Sequence, residues 1–489
     1  MNLDFNEKDF KQLYELTGSI LQEWHEKIRN HKIYHNESSS TIFNHFNEKM
    51  PEKGMEPADV LATIKRDVFR FSNYNPSPNY YGYITGGGNQ MAILAETLRT
   101  ALNQNNLKWH SAPANSEIEK IVIRWICEFI NYTTEAGGVF CSGGSVANFL
   151  NIAVMRKMMC PVDIAAEGMY RAHPMTIYVS EQGHSSIDKA LDMLGFGKNY
   201  LRKIPVRDDF TVDVDKMHDK ITEDRAIGLL PIGIIGIAGT TNSGAVDPLE
   251  ALGQLASDHE LWYMVDAAYG GPAAGTEKAK HLFKGIEMAD SVVLNPHKWF
   301  YVPFEVSCIL VKNKDHLRST FSMVPDYLTS GIGVDEREDL MDFNLQLTKD
   351  FKALKVWTTF KTYGAENLRK AITNDISNAQ HLESLVLKSD DFEMLAPVSL
   401  SIACFRYCTS IPDLKNNNEM LDKINDAILD MVEGDGRIFF AGTKIHGQTS
   451  LRISCTNHRR TNEDIEFLFE TLREMGQKAV KDLTIGSAG

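Results

Sequence analysis

The sequence has no uninterrupted apolar run of about 18 residues, the length that a transmembrane helix requires. Residues 1–28 are charged throughout and have no apolar stretch of the kind found in a secretory signal peptide. Positive charge is also scarce, since 51 lysines and arginines against 65 aspartates and glutamates give a formal net charge of −14. We therefore expect a cytoplasmic protein whose partners are neither nucleic acid nor membrane.

Cysteines are few, and their spacing is irregular. The seven cysteines form no C-x-x-C pair, and no group of cysteine and histidine has the spacing of zinc ligands. An odd number of scattered cysteines is typical of reduced thiols in a reducing compartment. We expect them to be small buried side chains, and we expect no metal site.

With 489 residues, of which 43% are hydrophobic and 24% charged, the chain has the composition of a globular protein of two or three domains. Residues 1–90 carry helical patterns at 7–30 and 57–71 separated by turn-rich stretches, which predicts a helical arm. An arm with little core of its own commonly wraps a partner subunit. We place a large α/β domain at 91–364 and a small α+β domain at 365–489.

The central region alternates between helical patterns and short apolar runs. The helical patterns cover 116–130, 145–159, 186–194 and 248–259, and the apolar runs cover 175–180, 228–239, 261–268, 291–296 and 306–311. This alternation predicts a largely parallel sheet covered by helices on both faces. Ligands bind such sheets beyond the carboxyl ends of their strands.

The last region combines a few alternating strands with helices. Its final helix is expected to begin with a capping pattern from Thr461 to Asp464 and to end at Gly476.

Polar residues follow the predicted strands of the large domain, at the edge where a ligand would bind. The glycine-rich turn at 143–145 opens a helix and can bind a phosphate through its N–H groups. His184, Thr241, Asp266 and Lys298 follow four further apolar runs. Taken singly, each has an ordinary structural explanation, such as a capping histidine or a plain turn.

One cofactor would explain these residues together. Pyridoxal phosphate requires a lysine for its Schiff base, a carboxylate beside its ring nitrogen, a phosphate site and a flat group over the ring. It would also account for two costly features, an ammonium at the end of a buried strand and a carboxylate after an apolar run.

The segments "NPHKWFYVPFEVSCILV", "LWYMVDAAYGG", "EQGHSSIDKA" and "SGGSVAN" together resemble the group II pyridoxal-phosphate-dependent amino acid decarboxylases. The resemblance extends from about residue 75 to 475. It implies the fold of the aspartate aminotransferase superfamily (fold type I), with a mostly parallel seven-stranded sheet and a small C-terminal α+β domain. It also implies a homodimer with its active sites at the subunit interface.

The resemblance assigns a role to each matching residue. Lys298 matches the Schiff-base lysine, Asp266 the partner of the ring nitrogen, and His184 the histidine that stacks on the cofactor. The remaining matches are phosphate-binding Gly144, Ser145 and Asn295, cofactor-lining Thr241 and Ala268, and His297 near the phosphate and the substrate carboxylate. The implied reaction is decarboxylation of an L-amino acid to its amine and carbon dioxide.

The sequence departs from the family in the mobile loop that carries a proton-donating tyrosine. Tyr327 matches an earlier tyrosine at the base of the loop, while Asp339, Leu340 or Met341 stands where the loop tyrosine is expected. Lys349 and Asp350 replace the usual pair of arginines. His184 is then the remaining candidate for the proton donor, and oxidative deamination to an aldehyde stays open.

The expected substrate pocket contains both apolar and polar residues. Tyr83 provides an aromatic ring, Leu107 is expected to come from the partner subunit, and Arg452 matches a basic residue near the loop. Because Asn75 and Asn105 stand where aromatic-specific members often have aromatic or aliphatic side chains, an acidic or polar substrate is the alternative to an aromatic one. A cofactor-binding protein without catalysis is a third hypothesis, against which the intact Lys298 argues.

Overall fold

The computed structural model of the protein describes residues 3–323 and 337–485. Its helices, in chain order, are α1 (Glu7–Glu26), α2 (Ser39–Phe46), α3 (Pro57–Thr63), α4 (Gln90–Leu102), α5 (Pro113–Phe129), α6 (Gly144–Met159), α7 (Ile164–Glu167), α8 (Ser185–Met193), α9 (Val214–Ala226), α10 (Leu249–Asp258), α11 (Pro296–Trp299), α12 (Asp315–Phe321), α13 (Ala353–Leu387), α14 (Pro412–Lys415), α15 (Asn418–Asp435) and α16 (Asn462–Ile485).

The large sheet contains the strands β1 (Gly137–Cys141), β2 (Met175–Ser180), β3 (Leu201–Ile204), β4 (Leu230–Ile237), β5 (Trp262–Asp266), β6 (Ser291–Leu294) and β7 (Ser307–Val311). Their spatial order is β1-β7-β6-β5-β4-β2-β3. The pairings from β6 through β5, β4 and β2 to β3 are parallel, while β7 runs antiparallel to both β6 and β1. The predicted mostly parallel, seven-stranded sheet is therefore confirmed.

Both faces of this sheet are buried, as the apolar runs predict. Along β2, Ile177 and Val179 pack into one hydrophobic cluster, and Tyr178 between them packs into the cluster on the other face. Because β7 is antiparallel to both of its neighbours, β1 and β6 run in the same direction. The carboxyl ends of β1, β2, β4, β5 and β6 consequently lie at the same edge of the sheet.

The smaller sheet lies in the C-terminal region and consists of β8 (Phe392–Met394), β9 (Ile402–Tyr407), β10 (Ala441–Ile445) and β11 (Gln448–Ser454). Its order is β10-β11-β9-β8, and all three pairings are antiparallel. The long helix α13 leads into this region and is interrupted at Gly364, whose φ of 70° is not helical. The expected boundary at 364 falls at this kink, and the domain limits remain a prediction.

The end of α16 differs from the sequence-based expectation. The predicted pattern from Thr461 to Asp464 forms at its start, where the backbone N–H and the hydroxyl of Thr461 both donate to Asp464 Oδ2, at 2.9 and 3.1 Å. Gly476, however, does not end the helix, which continues to Ile485. A side chain at Gly476 would meet the ring of Tyr407 within 2.6 Å. The glycine is therefore there for close packing and not as a helix stop.

The N-terminal region is helical, with α1, α2 and α3 joined by irregular segments. It keeps many large apolar side chains on the surface, among them Phe10, Tyr14 and Phe43. None of the helices within residues 3–323 and 337–485 combines the length and the apolar character needed to cross a membrane.

Candidate active site

A cavity of about 190 Å³ lies at the sheet edge where the parallel strands end. Nine of the twelve residues singled out from the sequence line it. They are Gly144, Ser145, His184, Thr241, Asp266, Ala268, Asn295, His297 and Lys298. Because they come from five separate strand ends, the topology of the sheet is what brings them together.

Lys298 lies in α11, a single helical turn that follows β6. Burial lowers the pKa of its ammonium group, the charge of Arg452 lowers it further, and Asp266 opposes both effects. Within the described part of the chain, the Lys298 side chain has no hydrogen bond or ion pair. A buried lysine in this state favours the neutral amine, which is the nucleophilic form.

Asp375 holds the turn that carries Lys298. Its carboxylate oxygen Oδ2 accepts hydrogen bonds from Trp299 Nε1 at 2.9 Å and from the Tyr301 hydroxyl at 2.8 Å. The Trp299 ring also stacks on Tyr269 at a centroid distance of 5.0 Å. On the opposite side, Gly86 is required, since any side chain there would overlap the carbonyl oxygen of Lys298.

Asp266 is the last residue of β5, and only 6% of its surface is exposed. Its Oδ1 accepts from the backbone N–H of Ala268 at 3.1 Å, and its Oδ2 accepts from Asn148 Nδ2 at 3.1 Å. These contacts orient the carboxylate and leave further lone pairs for a cationic ligand atom.

His184 is the N-cap residue of α8, and its ring accepts a hydrogen bond from the backbone N–H of Ser186. Part of the side chain stays exposed. The surrounding protein nevertheless lowers the pKa of His184, mainly by removing water from the ring; Asp266 opposes the shift and Lys298 adds to it. At neutral pH the ring is therefore uncharged.

His297 is buried directly before Lys298. Its Nδ1 accepts a hydrogen bond from the backbone N–H of Val306 at 3.2 Å, which leaves its proton on Nε2. Burial, reinforced by the charge of Lys298, lowers the pKa of His297 to about 3. His297 thus offers a neutral hydrogen-bond donor and is no acid–base group near neutral pH.

The turn between β1 and α6 can hold an anion. Helix α6 begins at Gly144, and no side chain caps its first turn. Asn295 lies against this turn, so that a side chain at Gly144 would meet Asn295 Nδ2 at 2.8 Å. The buried Oδ1 of Asn295 has no hydrogen-bond partner in the described regions. Free N–H groups at a helix start, beside an amide, make a site for a phosphate.

The other three predicted residues, Tyr83, Leu107 and Arg452, do not line the cavity. Arg452 Nε donates to the carbonyl oxygen of Thr241 at 2.7 Å, and its Nη1 donates to that of Tyr83 at 3.2 Å. Leu107 accepts a backbone hydrogen bond from Met341. Whether these residues bind substrate remains a prediction.

The loop expected to carry the proton-donating tyrosine lies partly outside the described residues, and Tyr327 is not among them. Of the three positions considered for the missing tyrosine, Leu340 and Met341 are buried, and Asp339 accepts from the backbone N–H of Trp109 at 2.8 Å. Lys349 forms a buried ion pair with Glu119, and Asp350 pairs with Arg99 at 2.8 Å. The residues at the two arginine positions therefore have structural partners.

The structure also adds lining residues that the sequence did not single out. They include Asn148, Gln182, Ser186 and Tyr269. Asn148 follows Ser145 by three residues on α6, and Ser186 follows His184 by two. Their closeness to predicted residues was the available signal, although helical periodicity alone does not show which side chain faces the site.

Comparison with known proteins identifies this arrangement. The family model described as "Pyridoxal-dependent decarboxylase conserved domain" matches residues 40–408. The chain belongs to the pyridoxal-dependent decarboxylase family. Like its members, it is a pyridoxal-phosphate-dependent decarboxylase, as the sequence predicted.

Individual relatives of this decarboxylase extend over nearly its whole length. It is 29% identical over 478 residues to an aromatic-L-amino-acid decarboxylase of Bacillus atrophaeus, covering 98% of this chain and 97% of the relative. It is also 29% identical over 412 residues to a phenylacetaldehyde synthase of Petunia hybrida, covering 82% and 81%. A solved structure of Oryza sativa TDC with PLP and tryptamine has the same fold, with a TM-score of 0.91, 23% identity and coverage of 98% and 99%.

The residues that line the cavity of this decarboxylase provide the groups that pyridoxal phosphate requires. The uncapped start of α6 and the Asn295 Nδ2 group beside it are hydrogen-bond donors that suit a phosphate. Asp266 suits a protonated ring nitrogen, and the unpaired Lys298 suits a covalent bond to an aldehyde carbon. One ligand would thus give both Asp266 and Lys298 a partner in this buried site.

Proposed function

We propose that the protein decarboxylates an aromatic L-amino acid and releases the corresponding amine and carbon dioxide. The observation that carries this proposal is the grouping of Lys298, Asp266 and His184 around one cavity, in a chain that resembles an aromatic-L-amino-acid decarboxylase from end to end. The family establishes the decarboxylase chemistry, and the relative supports the class of substrate.

In this proposal each residue has a separate task. Pyridoxal phosphate, when bound, takes up the electron pair that the substrate Cα retains as carbon dioxide leaves. Lys298 would hold the cofactor through a covalent bond from its Nζ. Asp266 holds a proton on the ring nitrogen and so favours electron flow toward the ring. His184 covers the ring, and the start of α6 binds the phosphate.

We propose Tyr83, Leu107 and Arg452 as substrate-binding residues. Arg452 supports this role, because it is buried and its Nη2 has no hydrogen-bond partner in the described regions. Its other nitrogens are held by backbone carbonyl groups, and its charge reaches Lys298. An anionic group of the substrate would give this nitrogen the partner that it lacks among the described residues.

We also propose a homodimer in which Leu107 reaches the partner's active site. Helix α4 carries Leu94, Leu98 and Leu102 on its exposed side, one helical turn apart. A groove between α4 and α1 continues this surface and is lined by Leu21, Ile93 and Leu94, among others. An apolar stripe of this kind is commonly covered by another subunit.

Incubation of the purified holoenzyme with each of the twenty L-amino acids tests the reaction. Carbon dioxide, amine and hydrogen peroxide are followed together, with Lys298→Ala as the inactive control. We expect equimolar amine and carbon dioxide, with the highest kcat/KM for tryptophan, tyrosine or phenylalanine. Preference for glutamate, aspartate or cysteine sulfinate would overturn the aromatic assignment.

Aldehyde formation is the second candidate function, since the chain is also 29% identical to a phenylacetaldehyde synthase over 82% of its length. The same assay separates the two. Aldehyde and hydrogen peroxide formed in place of amine would support the synthase reaction and contradict release of the amine.

A further inference from the structure

Two groups of Ser186, its backbone N–H and its hydroxyl, lie within hydrogen-bond distance of one nitrogen of the His184 ring. The backbone N–H of Ser186 lies 3.1 Å from His184 Nδ1, and the Ser186 hydroxyl oxygen lies 2.8 Å from the same atom. A backbone N–H can only donate, so Nδ1 must present a lone pair. The proton of the neutral ring is then on Nε2.

Asn148 determines how the Ser186 hydroxyl is oriented. Its amide nitrogen lies 2.9 Å from Ser186 Oγ and 3.1 Å from Asp266 Oδ2. The opposite orientation of the amide would place a carbonyl oxygen against the Asp266 carboxylate, which is repulsive. Ser186 Oγ therefore accepts from Asn148, and its own proton is available for His184 Nδ1.

The two side chains that connect Asp266 to His184 are buried. Asn148 and Ser186 are each 2% exposed, and both protons of the Asn148 amide are used. Loss of one contact would leave a buried donor or acceptor without a partner, which is costly in this environment. The arrangement extends from the Asp266 carboxylate through two side chains to the His184 ring.

We propose that Asn148 and Ser186 are positioning residues that hold His184 in the tautomer protonated at Nε2, so that the ring offers a hydrogen-bond donor to the cofactor site. Protonation at Nδ1 would set that proton against the backbone N–H of Ser186 and so remove this contact, while the Ser186 hydroxyl would have to turn from donor to acceptor. In this state the ring donates a hydrogen bond, and it does not supply the proton that Cα requires. The fallback assignment of His184 as the proton donor is thereby disfavoured.

The inference rests on the proposed function for what the donor meets, but the tautomer can be measured without turnover. ¹⁵N-histidine-labelled holoenzyme gives NMR spectra in which the two ring nitrogens differ according to which is protonated, with His184→Gln used to assign the signal. We expect His184 to carry its proton on Nε2 at neutral pH. A ring protonated on Nδ1 would overturn the proposal, whatever the substrate proves to be.

Variants of the holoenzyme separate the two side chains from the backbone contact. Ser186→Ala keeps the backbone N–H and removes the hydroxyl, so we expect the tautomer ratio to shift toward Nδ1–H on the order of tenfold. Ser186→Thr should restore the wild-type ratio, and Ser185→Ala, at the exposed neighbouring position, should leave it unchanged. An unchanged ratio in Ser186→Ala would show that the hydroxyl has no positioning role.

Asn148→Leu tests the more distant member and removes both amide contacts. We expect its tautomer ratio to move in the same direction as that of Ser186→Ala. An Asn148→Leu ratio equal to that of the wild type would remove Asn148 from the proposal. The wild-type measurement tests the tautomer even if either variant fails to fold.

Discussion

Lys298 and Asp266 are ionisable groups at the ends of buried strands, and the charged form of each is costly without a partner. In the described regions, the protein provides hydrogen-bond partners for one of these side chains and not for the other. Asp266 receives hydrogen bonds from Ala268 and Asn148, whereas the Lys298 side chain has no contact of this kind among the described residues. The unequal treatment follows from their tasks, because a carboxylate that holds a proton must stay fixed and a reacting amine must stay free.

Asp266→Asn tests the electrostatic role of the carboxylate. An amide cannot hold a proton on the cofactor ring nitrogen, so the substrate Cα loses most of its stabilisation. We expect kcat to fall roughly 10²–10³-fold, as when a single electrostatic contact to a developing charge is removed. Steady-state kinetics with the preferred amino acid measures the loss. Asp266→Glu keeps the charge and is the matched control, which should retain more activity; equal activity of Asp266→Asn and wild type would contradict the assignment.

Asp247 makes folding stability depend on pH. Its carboxylate accepts from the backbone N–H groups of Val212 and Ile237, both at 2.8 Å, and burial raises its pKa to about 7 from an ordinary value of 3.8. Between these values the folded state binds the proton more tightly. The contribution to stability is thus complete below pH 3.8 and is lost as the pH rises through about 7.

Urea unfolding at several pH values between 5 and 8 measures this effect. We expect the free energy of unfolding of the wild type to fall with pH, by up to about 1.4 kcal/mol per pH unit for each such group. Asp247→Asn should have a shallower slope, with a remainder from Asp375, whose pKa burial also raises to about 7. Asp208→Asn, at an exposed position, should keep the wild-type slope. An unchanged slope in Asp247→Asn would contradict the raised pKa.

At the scale of secondary structure, the sequence predicted the elements with the clearest periodicity. The helical patterns at 145–159 and 186–194 and the apolar run at 175–180 correspond to α6, α8 and β2. Strand β3 was missed because it has four residues, two of them charged, and lies at the sheet edge. Helix α9 was missed because its sequence is mostly polar, with few buried residues.

The site residues also divide into those that the sequence could predict and those that it could not. Lys298, Asp266 and His184 could be predicted because each follows an apolar run, and parallel strands bring their ends to one edge. Asn148 and Ser186 could not, because their importance lies in contacts between α6, α8 and β5. Such contacts depend on how closely the elements pack against one another. The spacing of residues within one element gives no information about that distance.

The α11 turn depends on a single residue of α13. Asp375→Ala leaves Trp299 Nε1 and the Tyr301 hydroxyl as buried donors without an acceptor. We expect a loss of about 1–3 kcal/mol in unfolding free energy for each of them and weaker cofactor binding, since Lys298 directly precedes Trp299 in the same turn. Chemical unfolding and titration of the apoenzyme with pyridoxal phosphate measure both quantities.

Asp375→Asn is the matched control for this experiment. Its oxygen can still accept from both donors, and it is neutral, as Asp375 itself is at low pH. We expect it to retain most of the cofactor affinity. If Asp375→Ala bound the cofactor as tightly as Asp375→Asn, the turn would not depend on these hydrogen bonds.

At the scale of the whole molecule, the small sheet reaches the cofactor cavity through Arg452 on β11. Arg452 donates to the carbonyl oxygens of Thr241 and Asn242, in the turn that follows β4. Tyr269 makes a second connection, because its hydroxyl contacts Ser401 Oγ at 2.5 Å while its ring packs on Trp299. Residues on both sides of the Gly364 kink thus hold the walls of the cavity.

Leu98→Asp tests whether a second copy of the chain covers α4. Leu98 is 60% exposed in the single chain, between Leu94 and Leu102. A carboxylate there costs little in a monomer but would be desolvated in an interface that buries about 1,600 Å² in total. We expect sedimentation velocity to show a dimer for the wild type and a monomer for Leu98→Asp, with loss of activity because the partner's Leu107 is removed from each site. Leu387→Asp, at a 70% exposed position at the end of α13, is the matched control and should stay dimeric and active. A dimeric, active Leu98→Asp would show that this face of α4 lies outside the interface.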